Sequence, residues 1–322
     1  MAHAITIAAT NAALNQFATT FSADVKQVFR TGLEFEGNGL IPFVTADHTY
    51  VATNVEPASV LQPYQPRFTP NNSESWDAVS NVLRPIKIDL TYNEEQLQKF
   101  YDKWKNEWFE AGKNPMEWSY PKFMIEQVIA PKYREELNHL SWAGEFVAPT
   151  PGTPGSYLES QDGWKIQIEN AISNGDLVPV NSGSYSSSDI RSKLEAWFMA
   201  MPEQVRNKGG VVLMSATNAR EYYYDYRGDF STATWGNLQE SGGMIVDGFG
   251  VKIIGISAME GSDRWIFLPG SQQNMIVGTK RGHPTYPQFV FDFDLYNLYV
   301  KAAFYRFFGF EHWGNLYVND QA

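Results

Sequence analysis

Apolar positions in this chain recur at two spacings, which divide it into blocks. Leu14, Phe17, Phe21, Val25 and Val28 fall at helical intervals, so residues 11–30 can form one amphipathic helix. Gly32, Gly37 and Gly39 then interrupt it. An arm with one apolar stripe and no helical neighbour in sequence must bury that stripe elsewhere, and another subunit is one such place. Thr49–Val55 and Ile86–Thr91 have β-type composition. Between them, Glu56–Pro85 carries prolines at 57, 63, 66, 70 and 85, too many for a helix or a central strand. A projecting hairpin or loop is the natural reading of this segment. A loop draped over its own domain fits the same composition.

A marked helix follows. Asn93 and Gln96 make a capping box, Leu97, Phe100, Tyr101, Trp104 and Trp108 share a face, and Gly112 and Pro115 stop the helix. A second helix is expected over Lys122–Leu140, kinked or divided by Pro131. The PTPGTPG run ending at Gly155 is a loop, Gly163–Ile172 a short unit and Asn181–Ser188 a link. The cleanest helical pattern is Ile190, Leu194, Trp197, Phe198, Met201 and Val205, capped by Ser188 or Asp189. Gly210–Met214 reads as a buried strand, and Asn218 with Glu221 as the capping box of a short helix ending near Gly228.

The last third is mostly strand: Val251–Ile256, Trp265–Leu268, Asn274–Gly278, the alternating Phe289, Phe291, Phe293 and Leu295, a long tract over Tyr299–Phe308, and Leu316–Val318. Segregated helices and antiparallel-looking strands indicate an α+β fold.

Composition narrows the function. With 43% hydrophobic residues, 10 Trp, 17 Tyr and 21 Phe, the chain can bury enough surface to order itself. The lack of cysteine excludes a disulfide scaffold, a cysteine-ligated zinc site and a thiol enzyme. A net charge of -11 opposes autonomous binding to phosphate backbones. The longest apolar stretches fall well short of the ~20 residues that span a bilayer, so no membrane role is expected.

Catalytic motifs are missing from the sequence. Gly278–Gly282 lacks the spacing of a phosphate loop, and neither GxSxG nor HExxH occurs. His3, His48, His139, His283 and His312 are scattered, so no local metal-ligand spacing exists, and neither metal nor cofactor is expected. Asp292 with Asp294 and Glu135 with Glu136 read as solvated pairs rather than carboxylates opposed across a cleft. Most aromatics fall on core faces, so packing accounts for them better than sugar stacking.

The order of these blocks resembles the major capsid proteins of tailed phages with the Hong Kong 97-type fold. An arm precedes a long loop. Lys122–Leu140 is similar to that family's spine helix, with Gly144 and Pro149–Gly155 after it. Ser188–Arg206 with VVLMS at 211–215 resembles the opening of its axial domain. GFGVKIIGISAM at 248–259, WIFLPG at 265–270 and NMIVGTKRG at 274–282 look like the strands that follow, and Phe289–Phe308 like the strands that re-enter the peripheral domain. The resemblance implies an N-terminal arm over 1–45, an extended loop over 46–85, a peripheral domain over 86–186 and 287–322, and an axial domain over 187–286. Residues 46–85 contain no Lys, only Arg67 and Arg84, so the Lys–Asn weld of some members is not expected.

The function so implied is a non-enzymatic protein that self-assembles into pentamers and hexamers of an icosahedral phage head around DNA, in a virion built in the bacterial cytoplasm. Its partners would be copies of itself, the portal, a separate scaffolding protein and a decoration protein, without sequence-specific DNA binding. Exposed aromatic and arginine anchors in projecting segments suggest Phe17, Phe21, Tyr64, Arg67, Phe68, Trp76 and Arg84 as intersubunit contacts. An encapsulin-like cargo shell is the near alternative. An acidic carbohydrate-active hydrolase is the alternative of another class.

Overall fold

The computed structural model describes residues 12–16, 34–37, 41–57, 61–69, 74–111, 120–229, 244–246, 249–270, 274–284, 286–294 and 297–321. One long strand organises the first sheet. β1 (Phe43–Ala46) runs parallel to β9 (Met275–Lys280). β4 (Arg84–Asn93) and β10 (Gln288–Phe293) flank β11 (Asn297–Phe310) antiparallel. β11 changes partner along its length: Asn297–Arg306 pairs with β4, and Phe307–Phe310 pairs with β9. Its sequence explains the change. Leu298, Val300, Ala302 and Phe304 alternate with more exposed residues, the pattern of a sheet covered on one face. From Arg306 to Phe310 every residue is buried, because Ala46, Ile276 and Phe307 build a small core on the second face.

A helical run packs on the covered face. It comprises α3 (Tyr120–Phe123), a π-helical segment Met124–Ile129 and α4 (Ala130–Ala143). At Pro131 the run changes winding, from π to α, instead of breaking. Ala130 N–H bonds to Ile125 O, five residues back, and Pro131 stands in the first turn of α4, where its missing N–H costs little. Phe123, Met124, Ile125, Tyr133, Leu137, Leu140 and Trp142 are buried along this run. Before it, α2 (Glu94–Ala111) begins with the expected capping box: Gln96 N–H donates to Asn93 Oδ1 at 2.9 Å, and Asn93 N–H donates to Gln96 Oε1 at 3.0 Å. After it, α5 (Trp164–Asn174) ties back to β11, with Trp164 Nε1 donating to Gly309 O at 2.9 Å.

The second sheet has the order β12-β8-β5-β7-β6, formed by β5 (Gly210–Ser215), β6 (Met244–Val246), β7 (Val251–Ile256), β8 (Ile266–Pro269) and β12 (Tyr317–Val318). β5 and β7 are parallel, and the remaining pairs are antiparallel. With α6 (Ile190–Met199) and α8 (Ala216–Asp229) it encloses a core in which Ile190, Leu194, Trp197, Val212, Met214 and Trp265 are almost inaccessible.

Several expectations are corrected. Residues 190–206 are not one helix: Pro202 stops α6, and α7 (Glu203–Arg206) follows as a separate turn. Asp189 does not cap α6. Its carboxylate accepts from Ser186 N–H, and Arg191 N–H is satisfied instead by Asp225 Oδ2 of α8 at 3.0 Å. Asn218 does not start its helix either. Ser215 Oγ accepts Asn218 N–H at 3.1 Å, while the Asn218 amide reaches Tyr185 and Ser262 O. Phe293 ends β10 and is 45% exposed, so the alternation of Phe289 and Phe291 stops there; Leu295 lies outside the described residues. Both sheets draw strands from widely separated parts of the chain. β12 joins β8 in the second sheet, whereas β9 joins β11 and β1 in the first.

Candidate functional site

The proline-rich segment forms an antiparallel hairpin of β2 (Thr49–Pro57) and β3 (Glu74–Val82), in register from Thr49 opposite Val82 to Pro57 opposite Glu74. Strand alternation gives it two unlike faces. The inner face rests on the body. Tyr50 stacks on Phe307 with centroids 5.9 Å apart, Val79 is buried, and buried Asn81 donates from Nδ2 to Phe310 O at 3.1 Å. The base is held from the side as well: Gln161 Nε2 donates to Val82 O at 3.0 Å, and Leu83 N–H to His48 O at 2.9 Å.

The outer face carries Thr49, Val51, Thr53 and Val55 opposite Val82, Ser80, Ala78 and Trp76, all exposed and none charged. In a chain of net charge -11 this neutral strip is unusual. Val55 and Trp76 stand directly opposite each other, and Trp76 is 69% exposed. Beyond the strands, residues 61–69 are exposed throughout. Gln62 Nε2 donates to Thr69 O at 2.7 Å and closes the neck of this tip. Leu61, Tyr64 and Phe68 are each more than 90% exposed, which is costly for an isolated molecule and typical of a contact surface.

The sequence-predicted residues divide accordingly. Tyr64, Arg67 and Phe68 stand together on the tip, and Trp76 on the outer face. Arg84 is not on the projection. It lies at the start of β4, 3.4 Å over the Phe146 ring and 4.0 Å from Asp162, an internal packing role. Phe17 and Phe21 lie outside the described residues. Just before them the arm folds onto its own chain. Leu14 is fully buried, and the Asn15 carboxamide pairs with both N–H and C=O of Phe291 at the edge of β10. Of the places open to the arm stripe, Leu14 therefore takes this body rather than another subunit. Glu34, at the start of the short helix α1 (Glu34–Gly37), acts similarly: its carboxylate accepts Ser257 N–H, Ala258 N–H and the Ser257 hydroxyl, capping the 3₁₀ turn Ser257–Met259. Leu61, Val51, Val55 and Val82 were missed, although strict alternation through β2 and β3 would have exposed the last three.

The remaining polar groups are engaged in ways that do not converge. Asp292 pairs with Lys301 at 3.3 Å, while Asp294 accepts from Tyr299 OH at 2.6 Å, which raises the Tyr299 pKa. Glu135 and Glu136 share Lys132. Among the described residues no cluster of three or more His, Asp or Glu is arranged to hold a metal.

The sequence matches no protein-family model and no curated protein. Solved structures do match. The satellite phage P4 procapsid that includes the size determination protein aligns at 10% identity and a TM-score of 0.52, covering 94% of this chain and 98% of that one. The cyanophage A-1(L) capsid asymmetric unit aligns at 10% identity and a TM-score of 0.52, covering 89% and 92%. The holo-SrpI encapsulin complex of Synechococcus elongatus aligns at 11% identity and a TM-score of 0.51, covering 90% and 88%. These alignments cover nearly the whole length of the chain, and at such identities they speak to fold: this chain has the Hong Kong 97-type fold.

Proposed function

We propose that this chain is a major capsid protein that assembles into pentamers and hexamers of an icosahedral phage head enclosing DNA. The observation that carries this reading is the hairpin, whose fully exposed tip and uncharged outer face stand on a body with the capsid fold. Tyr64, Arg67, Phe68 and Trp76 would meet neighbouring copies, joined by Leu61, Val51 and Val55. Phe17 and Phe21 of the arm are proposed as further contacts.

A projecting arm of this kind enlarges each contact beyond the ~800 Å² per partner of an ordinary interface. Closure of a symmetric shell multiplies contacts that are individually modest. Prolines at 57, 63, 66 and 70 stiffen the projection, so docking it loses less entropy. A net negative wall grips packaged DNA weakly.

In this reading the role is structural rather than catalytic. The arm (1–45), extended loop (46–85), peripheral domain (86–186 and 287–322) and axial domain (187–286) keep those assignments, with β9 and β12 as strands shared between the last two. A portal, a separate scaffolding protein and a decoration protein complete the list of partners, and the product is a virion assembled in the bacterial cytoplasm. An encapsulin-like shell is a second reading, favoured by the similar TM-score of the SrpI complex. The contents of purified shells, DNA or a cargo enzyme, separate the two.

The test is negative-stain imaging of the purified chain beside a Leu61→Ser/Tyr64→Ser/Phe68→Ser variant. Deleting the hairpin is less informative, because it also removes Val79 and Asn81 from the body. Shells or capsomers from the parent, and single folded particles from the variant, are expected. Single particles from both, with and without candidate scaffolding protein, would overturn the reading.

A further inference from the structure

We propose that His312 is a positioning residue that sets the angle of the hairpin through Asn54. The inference deepens the proposed function, in which the hairpin is the contact arm, but the property concerned belongs to the single chain.

The hairpin rests on one continuous segment, residues 307–312. Near its base, cross-strand partners Tyr50 and Asn81 meet Phe307, Phe310 O and the Glu311 carboxylate. Farther out, Asn54 Nδ2 donates to His312 Nε2 at 3.0 Å. Four residues of extended strand separate Tyr50 from Asn54, a distance of about 13 Å. A rod held only at its base can pivot. A rod held at two points this far apart cannot, so the outer contact decides where the tip at 61–69 stands.

His312 is built for such a task. Its backbone is gripped from both sides by one carboxamide: His312 N–H donates to Asn274 Oδ1 and Asn274 Nδ2 donates to His312 O, each at 2.7 Å. Asn274 is itself buried, and its own carbonyl accepts Glu311 N–H at 2.9 Å. A histidine whose peptide is clamped on both sides presents Nε2 to the hairpin from a fixed backbone position. An ordinary surface pair would add a little stability and leave the angle unchanged.

The chain lacks cysteine, so two can be introduced cleanly, at Gln65 on the tip and Ser173 on α5. The full chain carries spin labels there and is diluted into unlabelled chain, so that dipolar spectroscopy reads only the intramolecular distance. His312→Ala and Asn54→Ala are each expected to widen the distance distribution roughly twofold, with an unchanged melting temperature. His312→Gln, which keeps a donor and acceptor at the same reach, is expected to restore the parent distribution. Amide exchange at Asn54 and Val55 should accelerate about five- to tenfold in the alanine variants, as for loss of one hydrogen bond. A narrow parent-like distribution in both alanine variants overturns the proposal, and so does a widening that His312→Gln fails to reverse. Failure of the parent to form shells would overturn the capsid reading and leave this distance result standing.

Discussion

Asn81 occupies the space in which Gly309 would otherwise carry a side chain. A Cβ on Gly309 would collide with the Asn81 carboxamide, and Asn81 Nδ2 bonds to the carbonyl of the next residue, Phe310. Hairpin and body thus meet at a contact that admits only glycine on one side. Gly309→Ala is expected to push Asn81 out and to cost about 2–4 kcal/mol, combining overpacking with a lost buried hydrogen bond. Guanidinium unfolding monitored by tryptophan fluorescence measures this directly.

Arg84 and the tip residues should separate experimentally. Arg84 packs over Phe146 and beside Asp162, so Arg84→Ala is expected to lower stability by about 1–2 kcal/mol through lost stacking. Tyr64→Ser and Phe68→Ser, at residues more than 90% exposed, should change stability by less than about 0.5 kcal/mol. Denaturant midpoints of the three variants, compared with their shell yields, give opposite orderings if Arg84 is internal and the tip is a contact surface.

The C-terminal strand is held by a buried asparagine. Asn319 is inaccessible. Its Nδ2 donates to Asp263 O at 2.9 Å, its Oδ1 accepts Trp265 N–H at 2.8 Å, and its carbonyl accepts from Arg264. Asn319→Ala keeps the carbonyl that Arg264 reaches but leaves Asp263 O and Trp265 N–H to find other partners in a buried site, and is expected to cost about 2–4 kcal/mol. Amide exchange at Phe267 and Ile266, the register partners of β12, should rise with it. Unchanged protection there would show that β8 does not depend on this clamp.

Alkaline pH should weaken the fold. Burial pushes the phenol of Tyr133 well above its ordinary value, and burial followed by the neighbouring Tyr92 does the same for Tyr120. Between the unfolded pKa of about 10 and the higher folded values, the folded chain keeps protons that the unfolded chain has released. Stability is therefore fully present below about pH 10 and declines as pH rises through the folded values. Unfolding midpoints at about pH 8 and pH 10.5 should fall in the parent and fall less in Tyr133→Phe, which has no phenol to titrate. Equal falls in both would remove Tyr133 as a source of the effect.

Local chemistry made much of this legible. The Asn93–Gln96 capping box, the effect of Pro131, the β composition of Ile86–Thr91 and the buried-type strand at Gly210–Met214 depend on neighbours a few residues away. Two helix starts differ for different reasons: Ser215, three residues earlier, supplies the cap assigned to Asn218, whereas the distant Asp225 satisfies the N–H assigned to Asp189, because a helix start accepts any oxygen the fold delivers. The parallel pairing of β1 with β9 leaves no mark in either segment. At the candidate site, proline content identified the tip, but only the strand register shows that Val51, Val55 and Trp76 share a face. Arg84 looked like an anchor because composition cannot tell an arginine that reaches outward from one laid on Phe146.

The shared strand β11 bears on how the molecule is made. β4 finds its partner in Asn297–Arg306, roughly two hundred residues later in synthesis, and β8 waits for Tyr317–Val318. A nascent chain halted before residue 297 therefore has neither sheet complete and leaves the edges of β4, β9 and β8 open. Such a chain emerges from the ribosome sticky and unfinished, and both layers close together in a late step. Hosts with weak chaperone capacity should accumulate it as aggregates even where the finished protein is stable.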